Sequence, residues 1–247
     1  MVKKIDNSRN YLVVKDNALI QKARYSLTVN QQKLISYVIS LIKPTDKDFK
    51  KYEISVSDFC MICGIDRNHF YKDLKNIIDN LDDKSFWVET KDKVFKFRWF
   101  SEVEYFPQQG KVNVMLNSNI KPYLIDLTKN FTSYELLNVL PLRSKYAIRL
   151  YEILKSYTYD KFNPNFKIFD LEELKTLLDA STYVYRDFNK RILDKTKEEI
   201  NKYTDLKIDY EAIKTGRKVV AIKYTIEEKQ FLDRAKAGYA ALEKLDN

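Results

Sequence analysis

The chain has 247 residues, 45% of them hydrophobic and 32% charged, with 44 Lys and Arg against 35 Asp and Glu for a formal net charge of +9. That length supports one large domain or two small ones, and the charge favours a polyanionic partner without naming one. No apolar run approaches the roughly eighteen residues of a membrane span, the opening MVKKIDNSRNYLVV is too broken for a signal-peptide core, and two cysteines make no disulfide scaffold. The cytoplasm is therefore the expected compartment, with no membrane contact.

Residues 1–23 read as a basic, irregular arm with a short ordered piece at Leu12–Val14. SLTVNQQKLISYVISLIK opens a helix with Leu34, Tyr37, Val38 and Leu41 on its apolar face, and Pro44 helps to end it. Tyr52–Ser55 reads as a strand, and a brief helix runs from Ser57 to Cys63 until Gly64 breaks it. Asn68 then caps HFYKDLKNIIDNL, and the two helices make a helix-turn-helix unit. SFWVE, KVFKFRWFSEVEYF and KVNVMLN alternate as strands and suggest a three-stranded wing sheet.

The pattern then restarts. Residues 120–127 read as a bridge, FTSYELLNVL as a helix interrupted by Pro141, and SKYAIRLYEILKSYTY as a strong helix. NFKIF is a short strand and DLEELKTLL a short helix. A long helix through Tyr203 follows, then a hairpin with Arg217 and Lys218 at its tip. The charged end, residues 230–247, is an amphipathic tail that either folds back as a helix or stays mobile.

The second half repeats the first at a spacing of 114 residues: Leu34 matches Ile148, Tyr37 Tyr151, Ile54 Ile168, Tyr71 Tyr185, and Ile78 Ile192. Helix, strand, short helix, long helix and hairpin recur in one order, which is that of a winged helix. The expected fold is α+β, with tandem duplicated winged-helix domains carrying helix-turn-helix units and β-hairpin wings. The units are placed at 24–118 and 119–229, between the arm and the tail. Two such modules on one chain can cover adjacent major grooves about 34–36 Å apart without a dimer.

On the second long helix, Tyr185, Phe188, Ile192, Thr196 and Tyr203 gather on one side, while Tyr183, Arg186, Lys190 and Lys197 gather opposite. With Arg217 and Lys218 in the next turn, this is the layout of a groove-entering helix beside a wing. A solvated face of a surface helix has the same composition. Outward positions of the first long helix are His69, Lys72, Lys75 and Asn76, offset by Asp79, against Tyr183, Arg186, Asn189 and Lys190 in the second. The C-terminal copy is thus expected to dominate DNA affinity, leaving the N-terminal copy to assist or to mediate self-association.

Catalytic chemistry is not expected. Cys60 and Cys63 with His69 fall short of a four-ligand zinc site and read as core cysteines. There is no GxxxxGK[ST], and a single histidine cannot supply a nickase metal pair. No cofactor is implied.

SLTVNQQKLISYVIS, IKPYLIDLTKNFTSYELLNVLPLRSKYAIRLYEILKSY and YRDFNKRILDKTKEEINKYTDLKIDYEAIKTGRKVVAIKYTI together resemble the plasmid replication initiator proteins of the iteron-binding Rep class, over residues 12–227. The resemblance implies a non-enzymatic protein that binds origin repeats in double-stranded DNA, helps melt neighbouring AT-rich DNA and recruits host replication proteins. It also implies monomers that start replication and dimers that repress their own gene. Carried over by position, the C-terminal recognition helix holds Arg186, Asn189, Lys190, Arg191 and Lys197, and the N-terminal one Asn68, His69, Lys72 and Lys75. The weakly basic N-terminal helix departs from that pattern, and its sheet is an alternative dimer contact. A winged-helix repressor without a replication role would use the same surface, and tandem direct repeats beside the gene separate the two readings. A module that binds only protein would show little salt dependence.

Overall fold

The computed structural model describes residues 11–55, 57, 59–60, 70–89, 93–158 and 165–246. The chain opens with β1 (Leu12–Asp16), α1 (Asn17–Lys22) and β2 (Ala23–Arg24). The ordered piece expected at Leu12–Val14 is part of β1, and residues 15–23, expected as irregular arm, are built into the fold as well; residues 1–10 lie outside the described set. β1 pairs antiparallel with β8 (Phe131–Glu135), from Leu12 opposite Glu135 to Asp16 opposite Phe131. This ladder joins the expected arm to the expected C-terminal unit, across the boundary placed at 118/119.

The N-terminal copy continues with α2 (Val29–Ser40), closed at its start by a capping box between Thr28 and Gln31. Then come β3 (Tyr52–Ser55) and α3 (Phe70–Asp82). Ser57, Phe59 and Cys60 are helical, and Cys60 is buried as expected of a core cysteine; Cys63 and Gly64 lie outside the described residues. The strand runs do not make one three-stranded sheet. β4 (Ser85–Glu89) pairs with β2 on one side and β5 (Val94–Arg98) on the other, while β7 (Lys111–Leu116) pairs with β3 on one side and β6 (Phe100–Phe106) on the other. The break is at Trp99, which is buried and whose carbonyl accepts from Asn117 N at 3.0 Å. β3–β7–β6 is thus the wing sheet of this copy, and β2–β4–β5 is an addition to it.

The bridge expected at 120–127 overlaps a 3-10 helix at Ser118–Tyr123. FTSYELLNVL, expected as a helix, is β8 followed by a 3-10 turn at Leu136–Asn138. Thr132 and Tyr134 point inward on alternate positions, and β1 offers the ladder that a helix would forgo.

The second copy is more regular. It comprises α4 (Lys145–Lys155), β9 (Phe166–Asp170), α5 (Leu171–Leu177), a long helix α6 over 185–203, and the hairpin β10 (Leu206–Thr215) and β11 (Lys218–Glu228). The sheet order β10–β11–β9 repeats β6–β7–β3 of the first copy. The repeat is imperfect at one strand: Ile54 is buried but Ile168 is exposed, and Phe169 takes the inward place. The tail forms α7 (Phe231–Asp246), which turns Ala237 and Ala241 inward. No helix among the described residues is long and apolar enough to cross a membrane.

The two copies meet around α4, whose residues 147–155 are all buried, charged ones included. Glu152 Oε1 accepts from Lys15 Nζ of β1 at 2.5 Å and from the Tyr134 hydroxyl of β8. Arg149 donates to the Ala23 carbonyl at 2.8 Å and the Leu177 carbonyl at 3.4 Å, and lies 4.6 Å over the Tyr25 ring. Lys155 pairs with Asp205 at 2.8 Å and with Glu228 of β11. From α2, Gln32 Nε2 donates to the Lys145 carbonyl at 3.1 Å.

Burial alone would raise the Glu152 carboxyl, but the Lys15 ammonium and Arg149 guanidinium outweigh it and hold the carboxyl below its ordinary value. Its stabilisation is therefore complete above the ordinary carboxylate range and is lost as pH falls through the folded value. Glu152→Gln strands Lys15 as a buried charge, and urea titration should show a loss of about 3–5 kcal/mol. The same variant should flatten the acid limb of the stability–pH profile.

Candidate nucleic-acid interface

α6 consists of an α-turn at Tyr185–Phe188, a π-helical segment at Asn189–Leu193 and an α-helix at Asp194–Tyr203. Phe188, Ile192, Leu193, Thr196 and Ile200 are buried. Leu74 and Ile78 of α3 match Phe188 and Ile192 at the 114-residue spacing, but buried Leu81 matches Thr196 only when one residue is added. The π-turn takes in that extra residue and keeps both ends of the apolar stripe facing the core.

Opposite the stripe, the Arg186 side chain is 90% exposed and that of Arg191 68%. Asp187 lies 4.0 Å from both guanidinium Nε atoms, too loose and too wet to neutralise either. Lys190 is exposed, as are Lys214, Arg217 and Lys218 on the hairpin, and none of these four forms an ion pair among the described residues. The hairpin turns through Gly216, whose φ of 61° suits glycine, and this sets Arg217 at the tip.

Three expected readers are occupied with holding the scaffold. Asn189 Oδ1 accepts from the Tyr185 hydroxyl at 3.0 Å and lies 3.3 Å from that of Tyr210, on β10. Tyr210 donates to Asp194 at 2.6 Å, tying wing to helix. Burial and that hydrogen bond push the Tyr210 phenol well above its ordinary value, so it stays a donor. Lys197, expected on the outward stripe, pairs with Asp209 of β10 at 2.6 Å. Tyr183, expected outward as well, is half-buried and packs edge-on against Tyr146 with ring centroids 6.5 Å apart.

The N-terminal copy repeats the tie. Tyr105 of β6 donates to Asp79 of α3 at 2.7 Å, and Lys75 pairs with Asp79 at 2.5 Å while sitting 5.2 Å over the Tyr105 ring. Lys75 and Tyr105 together hold the Asp79 carboxyl below its ordinary value. Lys75 is thus neutralised locally. Lys72 lies on α3, and Asn68 and His69 fall outside the described residues. The sequence reading missed Tyr210, Asp194, Asp209 and Lys214; β10 alternation could have flagged Tyr210, but nothing local signals its partner.

A family model described as "Initiator Replication protein, WH1" matches residues 12–155, and one described as "Initiator Rep protein, WH2" matches residues 170–226. The chain belongs to the initiator replication protein family. The WH1 match runs past the boundary expected at 118/119. A replication initiation protein of Escherichia coli is 26% identical over 222 residues, covering 85% of this chain and 68% of that protein. The PI protein of Escherichia coli is 29% identical over 147 residues, 52% of this chain and 48% of the relative. A crystal structure of a Pi initiator protein in complex with iteron DNA superposes with a TM-score of 0.74 at 19% identity, covering 90% of this chain and 99% of that one. The initiator thus has the tandem winged-helix fold. Among its described residues no three or more His, Cys, Asp or Glu side chains group to hold a metal.

Removing the tie that aims α6 at its wing has a measurable cost. Tyr210→Phe deletes one hydroxyl bonded to a carboxylate and should lower stability by about 1–2 kcal/mol in urea titration, with the net charge of the face unchanged.

Proposed function

We propose that this initiator binds repeated double-stranded DNA at a plasmid origin, with α6 in the major groove and the β10–β11 wing on the flanking backbone. The observation that carries this reading is the division of labour on α6. One side is buried, Asn189 and Lys197 are tied to the wing, and Arg186, Lys190 and Arg191 are left outward. Arg186 and Lys190 contact base edges or nearby phosphates, and Arg217 and Lys218 hold phosphates. The likeness to an initiator solved on iteron DNA supports the same reading. In this account the protein acts in the cytoplasm, promotes opening of adjacent AT-rich DNA, recruits host replication proteins and exchanges between monomer and dimer. The site comprises Arg186, Lys190, Arg191, Arg217 and Lys218 as contacts, with Tyr183, Asn189 and Lys197 positioning them. The N-terminal helix, through Asn68, His69, Lys72 and Lys75, adds a weaker contact.

Titration of the full chain on repeat and scrambled duplexes tests the assignment. The combined change Arg186→Ala, Lys190→Ala should abolish preference for the repeat while the fold survives; unchanged repeat affinity refutes it. Arg217→Ala with Lys218→Ala should weaken both duplexes alike and reduce the salt slope by about two. Lys75→Ala, already neutralised by Asp79, should change affinity less than Lys190→Ala does.

A further inference from the structure

The start of α6 departs from those of α1, α2, α4 and α5. Asp16, Thr28, Ser144 and Asp170 each accept a backbone N–H into the helix they begin. At α6 the N-cap is Val184, which offers no side-chain cap. Valine is among the poorest N-cap residues, so the stabilisation that a capping side chain gives is forgone here. Val184 is also 62% exposed, so the stability forgone at the cap is not regained by burial in the protein core.

Its setting is fixed. Asp187 N and Phe188 N donate to the Val184 carbonyl at 3.0 and 2.9 Å, and the preceding Tyr183 is seated against Tyr146. The side chain is therefore held at the leading end of α6, two residues before the 90% exposed Arg186. The N-terminal residues of a recognition helix are the ones that meet base edges. An aspartate cap there would set a carboxylate against phosphates, whereas a branched apolar group matches the one apolar feature of the major groove, the thymine C5-methyl.

We propose that Val184 is a specificity-determining residue that packs against the C5-methyl of a thymine in the repeat. The proposal rests on the reading of α6 as the groove-entering helix. It adds discrimination for the thymine methyl, a group that the cations beside it do not read, since they bind acceptor atoms and phosphates.

Single thymine-to-deoxyuridine replacements, scanned through the repeat, remove one methyl at a time and leave base pairing intact. Full-length wild type should lose about fourfold in affinity at one position, the factor that burial of one methyl-sized group carries. Val184→Ala should bind the unmodified repeat about as weakly as wild type binds that deoxyuridine duplex, and should lose nothing more on it. Its salt slope should be unchanged, since no counterion is released by an apolar contact. A scan without a sensitive position, or one whose sensitivity persists in Val184→Ala, overturns the contact. No preference for the unmodified repeat over scrambled DNA refutes the underlying reading of α6, and the contact with it.

Discussion

Everything in this fold leans on the charges that α4 carries into the interior. Arg149, Glu152 and Lys155 are each buried, and each is met by groups from a different part of the chain: β1 and β8 for Glu152, β2 and α5 for Arg149, residue 205 and β11 for Lys155. Buried ions are costly unless every partner is in place, so these pairs specify one arrangement of the segments around α4 more than they add net stability. Apolar packing alone would tolerate small slips between the copies. A guanidinium with two carbonyls and an aromatic face to satisfy would not.

A second device sits at the long helix of each copy. In both copies a tyrosine from the first wing strand donates to an aspartate on the helix, Tyr105 to Asp79 and Tyr210 to Asp194. The shared tie makes helix and wing one rigid tool. The copies then diverge in what is left over. Lys75 is spent on Asp79 in the first, whereas in the second Arg186 and Lys190 stay outward while Asn189 and Lys197 secure the wing. Duplication supplied two scaffolds, and among the described residues the second keeps more cations free on the outward face of its helix.

Much of the second copy was legible in the sequence because its signals are local: α4, β9, α5, α6 and the Gly216 hairpin follow from periodicity and turn chemistry. The failures have non-local causes. FTSYELLNVL carries both helical and alternating patterns, and its strand is decided by β1, more than a hundred residues away. KVFKFRWFSEVEYF alternates without a visible break, so the change of sheet at Trp99 could not be read. Lys75, Asn189 and Lys197 looked like outward readers because their partners, Tyr105, Tyr210 and Asp209, lie on strands whose placement depends on the folded wing. The π-turn at Leu193 was likewise hidden, since helical numbering assumes an unbroken α-helix.

Held as one body by α4, the two winged helices would address adjacent turns of a duplex. Hydroxyl-radical footprinting of the full chain on a duplex carrying a single repeat tests it most directly. Two protected stretches about one helical turn, roughly 10 base pairs, apart are predicted, with the stronger protection under the C-terminal copy. One uninterrupted stretch the width of a single module would contradict it.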